Sequence, residues 1–162
     1  MGLISDSYLE LQRCLHGNPV YGTSGGRYAR TVKWIAGTRD ILDYGCGKRL
    51  LEGGLGFPIA NYDPAVAGCE GRPEPHEFVA CTDVLEHIEP EYLEAVLVDL
   101  RRVMLRAGYF VIHTGAAMKH LADGRNAHLI QEPVYWWLGR LSKYFEIDGC
   151  VLHGNGFEVF VS

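Results

Sequence analysis

The sequence predicts an α/β fold, a three-layer sandwich built on a mostly parallel sheet that ends in an antiparallel hairpin. Three observations predict it. Short apolar runs alternate with longer segments of helical period, the pattern left by strand-helix-strand units. Acids and glycines follow the apolar runs at once, as in Asp43-Tyr44-Gly45 and Asp63-Pro64, where an open parallel sheet carries its ligand-binding loops. The C-terminal end holds two further apolar runs separated by Gly154-Asn155-Gly156, a ready hairpin turn.

In chain order, residues 6–15 (DSYLELQRCL) carry Leu11 and Leu15 at helical spacing and stop at the breaker Gly17-Asn18-Pro19. The glycine-rich loop Tyr21 to Gly26 leads into a second helix with Tyr28, Val32 and Ile35 on one face. Residues 40–44 are too few for a helix and predict a buried strand. A short helical piece, RLLEGGL, leads to a second strand over residues 57–62, and residues 77–82 form a third. Pro90 opens a long helix whose Leu93, Val96, Leu97, Leu100, Val103 and Met104 share one face. Its acids (Glu89, Glu91, Glu94) come early and its arginines (Arg101, Arg102, Arg106) late, matching the helix dipole. Residues 109–113 predict a fourth strand. A polar loop and an aromatic helix, PVYWWLGRLSKYF, follow, then closing strands near 146–153 and 157–161.

At 162 residues the chain is expected to be one domain, an N-terminal helical cap (1–38) on a core (39–162). A net charge of -5 disfavours nucleic acid as a partner. The five cysteines are odd in number and form no C-x-x-C pair, which argues against a disulfide framework or structural zinc and fits a reducing compartment. The N-terminal MGLISDSYLELQ lacks the charge and apolar run of a secretion signal, and no apolar stretch reaches membrane-spanning length. The expectation is a soluble, cytoplasmic domain.

The turn after the first strand, ILDYGCGKRLLEGG, bears most of the functional information. A phosphate-binding loop needs glycine and Ser/Thr where Leu42 and Arg49 stand, and a dinucleotide loop needs glycine at Leu50. Both are excluded. Gly45 and Gly47 instead let backbone approach a ligand, with Asp43 just before them suited to a cationic ammonium group. Asp63, ending the second strand, suits a carboxylate that accepts from both hydroxyls of a ribose.

These residues resemble the class I S-adenosylmethionine-dependent methyltransferases, a family with a Rossmann-like core. LDYGCGK is similar to the family's first motif, NYDPA to its second, FVACTDVLEHI to the strand-to-helix motif of the branch acting on small molecules, and RAGYFVIHTG to the following strand. The resemblance implies S-adenosylmethionine as cofactor. It places Asp43, Gly45 and Gly47 around the methionine part, Asp63 at the ribose, and Thr82 and Asp83 beside the cofactor, with Cys46 and Pro64 also among the cofactor-binding residues. Two departures stand out. Arg49 replaces the family's usual third glycine. Only about a dozen residues separate Pro64 from Phe78, where a crossover helix alone needs about that many. One edge strand and its helices are therefore expected to be missing, along with the acid that usually meets adenine, for which Glu70, Glu74 or His76 are substitutes. The open edge left behind would invite an oligomer partner.

Methyl transfer from a sulfonium is an in-line displacement, and an oxygen acceptor must also lose a proton, for which histidine is the natural base. His87, His113 and His128 fall on the presumed active edge or on the polar insertion 115–132 that covers it, and Glu86 precedes His87. Asp83 and Glu86 equally fit a helix capping box. Tyr21, in a loop able to fold over the cofactor with Arg27 near its carboxylate, completes the set. His16 and His153 look peripheral. Trp136 and Trp137 are assigned to core and pocket wall. The order Asp83-x-x-Glu86-His87 with His128 also resembles the E-x-x-E-H plus histidine set that holds a divalent metal in small-RNA 3′-terminal ribose methyltransferases and ubiquinone-pathway O-methyltransferases. Aspartate in the first place argues against full ligation. The sequence thus predicts a methyltransferase acting on an oxygen of a small molecule or sugar. Its rivals are a metal-assisted enzyme acting on an RNA or DNA end and a cofactor-binding module without catalysis.

Overall fold

Ile41, Leu42 and Tyr44 are all buried, which a single strand achieves only when both faces of its sheet are covered. The structure, a computed structural model describing residues 2–162, shows that cover. Strands β1 (Ile41–Tyr44), β2 (Ala60–Tyr62), β3 (His76–Thr82), β4 (Met104–His113), β5 (Ile147–His153) and β6 (Gly156–Val161) form one sheet in the order β2-β1-β3-β4-β6-β5. The first four run parallel, and β6 and β5 close the sheet antiparallel. This is the mostly parallel, hairpin-ended sandwich that the sequence predicts.

Because side chains alternate across a strand, each strand feeds two cores. Ile41, Phe78, Ala80, Tyr109 and Val111 face helices α2 (Ala29–Ala36) and α3 (Leu50–Leu55) through Val32, Ala36, Leu51 and Leu55. Leu42, Val79, Cys81, Phe110 and Ile112 face α4 (Leu93–Val103) and α5 (Val134–Leu141). The predicted face of α4 (Leu93, Val96, Leu97, Leu100, Val103) is buried as a unit, with Met104 just beyond it. Helix α1 (Asp6–His16) is capped by Ser5, whose Oγ accepts from the Tyr8 amide at 3.2 Å, and ends at Gly17.

Several boundaries differ for local reasons. Pro90 begins a 3₁₀ turn, Pro90–Tyr92, and α4 starts only at Leu93. β4 starts directly at Met104, five residues early, because His76 of β3 pairs with Met104. Arg106 therefore lies in that strand, bound to Glu77 at 3.0 Å, and not at a helix end. Residues 63–75, between β2 and β3, hold neither helix nor strand, which is the missing edge strand and helices of the prediction. β2 is left as an edge of three residues, short enough to limit pairing with another chain. Arg49, out of pattern in the sequence, sits in the left-handed conformation (φ 59°) that the usual glycine would adopt freely, and its guanidinium is tied to Glu52 at 2.6 Å. Among the described residues, no helix is long and apolar enough to cross a membrane.

Candidate active site

All four parallel strands end at one edge. There Gly45, Asp63, Thr82–Asp83 and His113 border a cavity of about 430 Å³, within the range of about 300–1,000 Å³ usual for small-molecule sites. Its roof comes from α1, the loop Val20–Gly25 and residues Ala116–Lys119 with Ala127–His128 of the polar insertion. That insertion is folded on itself, Asn126 exchanging two hydrogen bonds with the backbone of Ala117 at 2.9 and 2.8 Å.

Gly45, Cys46, Gly47, Asp63, Pro64, Thr82, Asp83 and Tyr21 all line the cavity. The glycines are demanded by protein contacts as much as by any ligand. A Cβ on Gly45 (φ 84°) would lie 2.3 Å from Val84 Cγ2, and one on Gly47 (φ 50°) would lie 2.6 Å from the Gly22 carbonyl oxygen. The turn is thus seated against the roof loop, which also accepts a bond from the Lys48 amide at 2.8 Å through Gly22. Asp63 is buried and binds the turn, Oδ2 accepting from Gly47 N at 3.1 Å and Oδ1 from Ala65 N at 2.9 Å. Each oxygen keeps further acceptor capacity for a diol. Asp43 behaves differently from its prediction. It is buried beneath the turn, not on the cavity wall, and burial, then Asp63, push its carboxyl up to about 7.

The three candidate histidines meet in one cluster. His128 stands edge-on to His87 (4.7 Å between ring centres) and stacks on His113 (5.4 Å). His87 Nδ1 lies 2.7 Å from the Ala127 carbonyl and His128 Nδ1 2.6 Å from the Gly115 carbonyl, so both carry the proton on Nδ1 and a lone pair on Nε2. Burial, then the neighbouring His128, lower the His87 pKa to about 4. His113 is the opposite case. Its Nε2 sits 3.3 Å from Asp83 Oδ1 and its Nδ1 3.3 Å from the Asn155 carbonyl, and the Asp83 bond raises its pKa. Both of its ring nitrogens face acceptors, an arrangement that favours the protonated ring and suits His113 to positioning.

Asp83 (φ 57°) forms no capping box with Glu86. Its amide bonds the Val111 carbonyl at 3.0 Å and its carboxylate takes His113 and Tyr28. Glu86 is fully buried, with Oε1 accepting from His113 N at 3.2 Å and Oε2 unpartnered among the described residues. Burial, then Asp83, raise its pKa to about 8. The metal set of the sequence is consequently split. Glu86, His87 and His128 can bring one ligand atom each within 4.8 Å of one another, whereas Asp83 groups with Glu86 and His113.

Other expectations fail for reasons of topology. His16 is no peripheral residue: it lines the cavity, its ring 4.9 Å from that of Tyr21 and its Nε2 3.8 Å from Asp63. Tyr8 and Gln12 line it too, and with His16 they form an i, i+4, i+8 stripe that the sequence displays plainly. Tyr21 donates to Gln12 Oε1 at 3.0 Å and sits 3.4 Å from His87 Nδ1, while Tyr8 donates to the His87 carbonyl. Glu70, Glu74 and His76 are absent from the cavity wall. His76 is bound to Asp40 at the far end of the sheet, 2.7 Å away. Trp137 is core, but Trp136 packs under Arg140 (4.5 Å) and neither indole reaches the cavity.

No protein-family model matches this chain, and no curated protein matches its sequence. Solved structures match it along its whole length. A DhpI complex with S-adenosylhomocysteine aligns at TM-score 0.63 and 17% identity, covering 98% of both chains. The 1,6-didemethyltoxoflavin-N1-methyltransferase of Burkholderia thailandensis, with 1,6-didemethyltoxoflavin and S-adenosylhomocysteine bound, aligns at TM-score 0.64 and 15% identity over 96% of this chain and 88% of that one. A putative O-methyltransferase from Nostoc punctiforme aligns at TM-score 0.59 and 10% identity over 98% and 69%. At such identities the likeness is one of architecture, and the architecture of this chain is the class I S-adenosylmethionine-dependent methyltransferase fold.

Proposed function

We propose that this protein transfers a methyl group from S-adenosylmethionine to an oxygen of a small molecule or sugar. The observation that supports it best is the cavity's division. One end presents the glycine turn and the Asp63 carboxylate, and the other presents two imidazole lone pairs, on His87 and His128. Asp63 suits a ribose because both its oxygens are already fixed by backbone donors and still accept. Bound there, the cofactor supplies an electrophilic methyl on a sulfonium.

The chain contributes alignment and proton removal. His87 is held by Ala127 and flanked by Tyr21, so its Nε2 is the fixed acceptor for the proton of the attacking hydroxyl. A pKa near 4 keeps this nitrogen unprotonated throughout the neutral range. With the cofactor held at the glycine turn and Asp63, its methyl would be open to in-line attack by the acceptor oxygen, and His87 or the adjoining His128 would take up the hydroxyl proton. The Asp83-His113 pair fixes the orientation of the ring on which His128 stacks.

Calorimetry with S-adenosylhomocysteine followed by transfer of labelled methyl to a panel of hydroxylated small molecules tests this function. Asp63→Ala should weaken homocysteine-product binding by about tenfold or more, the loss of charge-assisted hydrogen bonds. Unchanged affinity would remove Asp63 from the ribose site, and no binding by the parent protein would overturn the function itself.

A second possibility rests on Glu86 Oε2, buried without a partner among the described residues, in a carboxylate that can bring a ligand atom within 4.8 Å of one on each of His87 and His128. One carboxylate and two neutral imidazoles are a donor set for a divalent transition metal, which would lower the pKa of an acceptor hydroxyl. Manganese titration separates the two. Binding by the parent that Glu86→Gln weakens about tenfold or more supports a metal, and absence of binding leaves the histidine base alone. Without metal, Glu86→Gln has a further expected result. A carboxyl whose pKa rises on folding favours the folded state at low pH and loses that contribution as pH climbs to its folded value. The variant's stability relative to the parent should therefore grow between about pH 4.5 and 8, by up to about 1.4 kcal/mol per pH unit. Urea unfolding at several pH values measures it, and a constant difference would show Glu86 to be ionised already.

A further inference from the structure

We propose that the methyl acceptor is an anion, and that Lys119 binds its carboxylate or phosphate group while the acceptor's hydroxyl faces His87. This rests on the methyl-transfer function proposed above and specifies its substrate class.

The chain is acidic overall, with net charge -5, and most of its lysines and arginines are engaged. Among the described residues, arginines at 13, 49, 72, 102, 106, 125 and 140 and Lys143 pair with carboxylates. Arg39, Lys48 and Arg101 donate to backbone carbonyls. Four cations remain with neither kind of partner. Arg30 and Lys33 lie exposed on α2, outside the cavity. The other two, Arg27 and Lys119, both line the cavity, and Lys119 alone of the four is partly buried. An anion bound in the cavity would find in Lys119 a cation with no carboxylate partner of its own.

Its placement identifies which part of the ligand carries that anion. The Lys119 amine stands over the Tyr21 ring, 5.3 Å from its centre, and Tyr21 in turn meets His87 edge-on at 5.8 Å. The tyrosine hydroxyl is tied to Gln12, and the Lys119 carbonyl accepts from the Ala127 amide at 3.0 Å, the residue that also orients His87. Lys119 is therefore held over the roof tyrosine that meets His87. Neither carboxylate bordering the cavity pairs with it: Asp63 binds the backbone of the turn and Asp83 binds His113. The cofactor brings ammonium, sulfonium and carboxylate together, one more net positive charge, which further favours an acceptor of opposite sign.

The test uses protein saturated with S-adenosylhomocysteine, titrated calorimetrically with hydroxybenzoate, with glycerol phosphate, and with neutral hydroxybenzyl alcohol and glycerol as their counterparts. One anion should bind about tenfold or more tightly than its neutral counterpart, a preference that weakens in high salt. Hydroxybenzoate answering alone indicates a carboxylate acceptor, and glycerol phosphate alone a phosphorylated one. Lys119→Met, which keeps the stem, should abolish the preference, and Lys119→Arg should retain it. Neutral compounds binding as well as the anions, no anion binding, or a preference that survives in Lys119→Met overturns the proposal. Failure of the S-adenosylhomocysteine saturation step overturns the methyl-transfer function instead, so the two failures are distinct.

Discussion

Gly45→Ala should unfold the cofactor end of the site. The new methyl would lie 2.3 Å from Val84 Cγ2 in a backbone conformation, φ 84°, that only glycine adopts freely. Left-handed strain of about 1–2 kcal/mol adds to overpacking of about 1–3 kcal/mol. The melting temperature should fall by about 5–20 °C for a chain of this size. Binding of S-adenosylhomocysteine should fall with it, since Val84 and the turn both border the cavity. Gly45→Ala combined with Val84→Ala separates the two causes, because it removes the overlap and leaves the strain. The double variant should recover roughly the overpacking share, about 1–3 kcal/mol. A single variant melting with the parent would show that neither effect operates.

His87→Ala should lower kcat by about a hundredfold or more, the usual loss of a positioned base, with S-adenosylhomocysteine affinity held within about twofold since cofactor contacts stay in place. The histidine also tethers the insertion through Ala127, so loss of activity alone does not distinguish a base from a strut. His87→Asn does. Its amide can still donate to the Ala127 carbonyl, but it offers no basic nitrogen. Turnover should stay low in both variants, and recovery in the asparagine variant would reduce His87 to a tether. In the parent, turnover should be flat across neutral pH and decline as pH falls through about 4, where Nε2 takes up a proton.

The cluster around His87 illustrates how much of the site was legible beforehand. His87, His113 and His128 are all legible as candidates from strand ends and a loop, and the structure gathers them within ring contact. Their division of labour was not legible. It depends on which carbonyl or carboxylate each Nδ1 and Nε2 meets, and those partners, Ala127, Gly115, Asn155 and Asp83, are distant in sequence from most of the rings they orient. Asp83 and Glu86 show the same limit. Their spacing fits a capping box, but the left-handed backbone at Asp83 turns it to His113 and sends Glu86 into the core. His16 reads as peripheral from the sequence although its stripe with Tyr8 and Gln12 is visible there, because helical spacing reveals a shared face and not what that face covers.

What the sequence determined alone was the order of strands and helices, the edge at which ligands bind and the loss of the segment after β2. These follow from local periodicity, turn chemistry and chain length, all short-range properties. Tertiary structure alone decided that α1 and the loop near Gly22 roof the cavity, that Asp43 lies beneath its floor, that the His113 pKa is raised while that of His87 is lowered, and that Lys119 stands unpaired beside them. The physical reason is common to all four. Burial and the charge state of a group depend on neighbours brought together from across the chain, and such long-range contacts leave no periodic trace in the segment that bears the residue.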